Sequence, residues 1–134
     1  MNLYRYLFYR IYSWNLRKWG EQDIPQWKAM ISVSFMMFIN FCSLGMLIEI
    51  FGLGRFLIEP TPKVAIAIIM LTLFIINYFQ YIYNGKYLDI SKIYENETSH
   101  KRTINALLLW LYVIVSFAIG IVFALILKEL DKVN

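Results

Sequence analysis

Three long apolar runs, over residues 27–51, 64–83 and 106–127, constrain this chain more than any other feature. A bilayer's hydrocarbon core of about 30 Å takes roughly 20 helical residues to cross, and each run is that long. Together they fill half of the 134 residues, leaving no stretch with which to build a separate soluble core. The chain therefore reads as a single integral membrane unit of the all-α class. Its three transmembrane helices are expected over 26–52, 62–84 and 103–128, with an interfacial helix over 1–19 and a cytoplasmic loop over 85–100.

The N-terminal segment has no helix breaker before Gly20, and Arg17 and Lys18 suit the negative end of a helix dipole. Leu3, Leu7, Ile11 and Trp14 fall on one face at helical spacing, with Tyr6, Tyr9, Tyr12 and Trp19 elsewhere around the cylinder. Arginines interrupt the segment throughout, so it lacks the apolar core of a signal peptide. Too charged to cross and too aromatic to leave the membrane, it is expected in the interface. Arg5, Arg10, Trp14, Arg17, Lys18 and Trp19 would anchor it there, and Trp27 would anchor the first span. A helix that grips a partner carries nearly the same pattern.

Between these helices, Asp23 is placed to cap the first span, with Gln26 as its reciprocal partner and Pro25 in the first turn. Thr61 and Pro62 form a start signal for the second span. That span ends in an aromatic belt of Tyr78, Phe79, Tyr81 and Tyr83 before Asn84 and Gly85, and 86–94 has the pattern of further helical turns.

The net charge of +4 would suggest a nucleic-acid surface in a soluble protein, but here the uneven sharing of basic residues points to membrane topology. Nine lysines and arginines lie in the N-terminal segment and the second loop, against four in the first loop and tail. Basic loops stay inside. The N-terminus and second loop are expected in the cytoplasm, and the first loop and C-terminus outside.

Polar groups within the spans are the first candidates for function. Glu49 sits in the last turn of the first span and suits either a cation or proton site, or an interfacial carboxylate paired with Arg55. Asn40, Asn77 and Gln80 are most simply interhelical hydrogen-bonding groups. Ser116, Gly120 and Ala124 recur every four residues in the third span, a spacing that permits close helix approach. On the first span Ser32, Asn40 and Ser43 share one face, while Ser34, Cys42, Gly45 and Glu49 lie roughly opposite. Two packable faces favour a chain that packs against something else.

No paired catalytic carboxylates, Ser/Lys dyad, zinc-binding helix or phosphate loop stands in the sequence, and no catalytic, cofactor or metal residue is assigned. Cys42 is the only cysteine and His100 the only histidine, read as a packing residue and a solvated basic flank. The Asn96-Glu97-Thr98 match to a glycosylation acceptor falls on the expected cytoplasmic side and is a chance match.

The segments LYRYLFYRIYSWNLRKWGEQDIPQW, IINYFQYIYNGKY and KRTINALLLWLY resemble those of small three-span proteins encoded in Bacteroidota-type genomes. The resemblance implies a bacterial inner-membrane location. The expected role is a non-catalytic accessory subunit of a larger translocation, secretion or transport assembly. Its partners would be other integral membrane proteins and the lipid bilayer, not nucleic acid. The alternatives are a self-assembling channel, holin-like or toxin protein, or an immunity or regulatory protein bound to one membrane partner.

Overall fold

The computed structural model describes residues 2–53 and 63–133, and within them the chain is entirely helical. Helix α1 spans Leu3–Trp19, α2 Pro25–Ile50, α3 Lys63–Asn77, α4 Lys86–Glu95 and α5 Ser99–Val133. Helices α2 and α5, and α3 together with the turns that continue it, are each long and apolar enough to cross a membrane. At 35 residues α5 is roughly 52 Å long, so it outruns a 30 Å hydrocarbon core.

Helix α1 starts where the Asn2 side chain accepts the Arg5 backbone N–H at 3.3 Å, and ends at Gly20, whose positive φ of 79° reverses the chain. A 3₁₀ turn, Glu21–Asp23, follows, and Ile24 then adopts the left-handed conformation with φ 47°. That backbone costs a residue of this type about 1–2 kcal/mol. It folds α1 back along α2. Asp23 does not cap α2, as its sequence position had suggested: Ile24 is the cap residue and no side chain caps it. The left-handed turn carries the Asp23 carboxylate away from the free N–H groups, and it pairs with Lys28 instead. The expected cap at Thr61 and Pro62 lies outside the described residues.

Helix α2 is the axis of the fold. Helices α1, α3 and α5 all pack on it, and α3 and α5 pack on α2 rather than on each other. Beyond Asn77 the second long helix loosens into a π-helical turn, Tyr78–Ile82, then a 3₁₀ turn, Tyr83–Gly85. The positive φ of Asn84 and Gly85 (57° and 69°) redirects the chain so that α4 runs alongside α1.

The core lies mainly between α1, the lower half of α2, the π turn and α4. Tyr6, Leu7, Phe8, Tyr9 and Tyr12 are buried there with Ala29, Met30, Val33, Met36, Tyr81 and Ile90. The tyrosine face of α1 is thus buried together with Leu7; Leu3 and Ile11 pack at the edge of the core, and of that apolar stripe Trp14 is half exposed. Stacking explains the choice. Phe8 stacks on Tyr81 with centroids 4.7 Å apart, Tyr6 meets Tyr94 edge-on at 5.2 Å, and Tyr12 meets Tyr87 at 5.6 Å. Such pairs add about 0.5–1.5 kcal/mol each beyond burial.

Close approach of α2 and α5 is set by Gly120. A β-carbon there would stand 3.3 Å from Ser43 Oγ. Gly120→Leu is therefore expected to destabilise the fold by about 1–3 kcal/mol through overpacking. Ala124→Leu, on an exposed position one turn on, is expected to stay within about 0.5 kcal/mol of the parent. Thermal unfolding in mild detergent would distinguish the two; equal effects would contradict this packing.

Candidate functional site

Because α1 runs antiparallel to α2, its first residues come level with the middle of the first span. There Tyr4 from α1, Asn40 from α2 and Tyr112 from α5 share one polar junction. The Asn40 amide donates to Tyr4 Oη at 3.1 Å and also to Tyr112 Oη, while Tyr112 Oη donates to Tyr4 Oη at 2.9 Å. Each group alone would be an unsatisfied polar atom in an apolar bundle. Joined, they tie three helices at one point.

A second tie sits where α4 gives way to α5. The Glu97 carboxylate accepts from Tyr6 Oη at 3.2 Å and from the Asn105 amide. Burial, and then the negative charge and hydrogen bond of Glu97, push the Tyr6 hydroxyl up to about 12, and burial also raises Tyr12.

The third feature is a groove of about 610 Å³ between α1, α2 and α5. Its α1 wall carries Leu7, Arg10, Ile11, Trp14 and Arg17, one stripe at helical spacing. Opposite stand Ser32, Phe35 and Met36 of α2 and Leu109, Trp110 and Val113 of α5. Arg17 Nε donates to the Ser13 carbonyl at 3.3 Å, and the Lys18 ammonium lies 4.7 Å above the Trp14 ring at the groove's edge. Among the described residues no acidic side chain lines it.

The structure brings together most of the polar and small residues singled out within the spans, and it does so inside the chain. Asn77 is fully buried and donates to Ser34 Oγ at 2.9 Å and to Met37 Sδ at 3.4 Å. Ser34 returns its hydroxyl to the Met30 carbonyl, and Ser43 to that of Ile39. Ser43 and Ser116 are buried, as is Gly45, while Gln80 and Ala124 are exposed. The two small-residue faces of α2 are occupied by the chain's own helices: Ser34 meets α3, and Asn40 and Ser43 meet α5. Glu49 joins none of these clusters. Its Oε2 is buried without a hydrogen-bond partner among the described residues, and Arg55 lies outside them.

The sequence assigns no role to Tyr4, Tyr112 or Asn105, and Glu97 stands out there only within the Asn96-Glu97-Thr98 match. Glu97 is one of three acids in the 85–100 loop, with Asp89 and Glu95, and nothing local marks it out; Tyr4 is one of many aromatics in its segment. Arg5, Arg17, Lys18 and Trp19 are exposed, Arg10 is half-buried, and Trp27 stacks on Tyr78 at 5.8 Å. Among the described residues no group of three or more His, Cys, Asp and Glu side chains could hold a metal. Compared with known proteins, the chain matches no family model, no curated protein and no solved structure.

Two measurements check these ties. Tyr112→Phe is expected to cost about 0.6–2 kcal/mol, the range for polar contacts between membrane helices, with a coupling of similar size to Asn40→Leu in a double-mutant cycle. Additive effects would show that the residues act independently. For Tyr6, a folded-state value raised above the ordinary tyrosine value means that its contribution is complete below pH 10. Stability is then lost as pH rises from 10 to about 12. Tyr6→Phe should flatten that part of the pH–stability curve.

Proposed function

We propose that this chain is a non-catalytic accessory subunit of a larger bacterial inner-membrane assembly, of the translocation, secretion or transport kind. Its N-terminus and the 85–100 segment face the cytoplasm, and its first loop and C-terminus face outside, as the distribution of basic residues favours. Helix α1 meets the cytoplasmic interface at its C-terminal end, where Arg17 and Lys18 reach the headgroups along their aliphatic stems, and from there it runs back along α2.

The observation that carries the proposal is the uncovered length of α5. In its most apolar stretch only 11% of residues are buried within the chain, as in the second long helix, against 28% for α2. Leu111, Ile114, Ile121 and Leu125 form one exposed stripe, opposite the face that Leu109, Ser116 and Leu127 bury. Lipid alone can cover such a stripe. A helix about 52 Å long fastened along one side only is nonetheless suited to lie between neighbours.

Pore formation by several copies finds less support. It would require Asn40 and Asn77 to face a shared aqueous path, and both amides are engaged between helices of one chain.

Site-directed photocrosslinking in native membranes tests the proposal. Crosslinkers at Leu111 and Ile121 are expected to give adducts of defined mass with another membrane protein, and one at Ser116 to stay within the chain. Adducts only with lipid or with a second copy of this chain, together with purification of the chain free of other proteins, would overturn it.

A further inference from the structure

The groove between α1, α2 and α5 combines features that an ordinary packing defect lacks. It holds two arginines on one stripe of α1, with seven residues and therefore about 10.5 Å of helix rise between them. The walls facing them are Phe35, Met36, Leu109, Trp110 and Val113. Ser32 contributes the one hydroxyl on the α2 wall, and it is spent on the Lys28 carbonyl at 3.0 Å. Neither guanidinium has a salt-bridge partner among the described residues.

Depth makes this imbalance matter. Ser32–Met36 lie one to two turns beyond Lys28, at the base of α2, so Arg10 faces the groove from a level inside the end of the span. A cation facing hydrocarbon is costly, and a paired anion offsets this cost. Among the described residues no acidic side chain lines the groove to supply such an anion. A ligand that answers both walls at once must be anionic at one end and apolar along the rest.

We infer that the groove binds one anionic phospholipid, its phosphate held between Arg10 and Arg17 and an acyl chain laid along Phe35, Leu109, Trp110 and Val113. Arginine suits this role because its planar guanidinium donates two parallel hydrogen bonds to phosphate. Trp14, at the groove's edge under Lys18, places an aromatic ring at the level where the headgroup meets the glycerol. The inference rests on the membrane-spanning assignment and not on the existence of a protein partner, so the two proposals fail separately.

Native mass spectrometry of the full chain, stripped of lipid and supplied with phosphatidylglycerol or phosphatidylethanolamine, tests it. Expected is a single retained phosphatidylglycerol, bound at least tenfold more tightly than phosphatidylethanolamine. Arg10→Gln with Arg17→Gln should remove that preference, whereas Lys101→Gln with Arg102→Gln, an equal loss of charge outside the groove, should keep it. Val113→Trp, which fills the groove and leaves both arginines in place, should also weaken binding at least tenfold. Equal retention of the two lipids, equal effects of the two charge-removing pairs, unchanged binding in Val113→Trp, or displacement of the lipid by inorganic phosphate alone would each overturn the inference.

Discussion

A helix that carries Arg5, Arg10, Arg17 and Lys18 gains nothing from hydrocarbon, so its place beside α2 has to come from the aromatic face it buries. Tyr6 and Phe8 are fully buried, and the rings they meet belong to the π turn and α4. That packing is what fixes the rest. It calls for a left-handed Ile24 at the hinge, a π turn that presents Tyr81, and the reversal at Asn84 and Gly85 that brings α4 alongside. It also lifts Tyr4 to the level of Asn40, where Tyr112 closes the polar junction and α5 is held.

Above that junction the structure is sparse. Helix α5 is guided by small residues, with Gly120 drawn against Ser43, and otherwise presents leucine, isoleucine and valine outward. Membrane helices associate through such close packing and a few hydrogen bonds, because lipid removes the hydrophobic drive between them. The described residues therefore divide into a densely aromatic end, where α1 and α4 meet the base of α2, and an open end where α3 and α5 pack chiefly on α2. In the proposed role of a docking subunit, one end would hold the helices together and the other would leave surface free for a partner.

The three long apolar helices were legible in the sequence because apolar length is a one-dimensional property, and α2 and α5 stand within a few residues of the expected helices, α5 running past its expected bounds at both ends. The all-helical class followed for the same reason. The face of α1 was legible only in part: Leu7 is buried and Leu3 and Ile11 pack at the core's edge, but the burial of Tyr6, Phe8 and Tyr12 depends on Tyr94, Tyr81 and Tyr87, which no local pattern marks. Asn40 and Asn77 were recognisable as interhelical groups from their depth, but their partners come from 36 and 43 residues away and no local pattern marks them. Asp23 misled because capping depends on the backbone angles of the next residue, which sequence spacing does not reveal.

The central claim is that α1 folds back along α2 instead of extending away from its base, and a spin–spin distance measures this directly. With Cys42 replaced by serine, labels would be placed at Arg5 and Leu44, both exposed, and pulsed electron paramagnetic resonance recorded in lipid nanodiscs. Antiparallel packing predicts a narrow distribution at about 15–25 Å, from a lateral helix separation of 8–10 Å and a few residues of axial offset. A helix lying flat at the base of α2 would instead place the labels about 35–40 Å apart, and a distribution centred there would contradict the account.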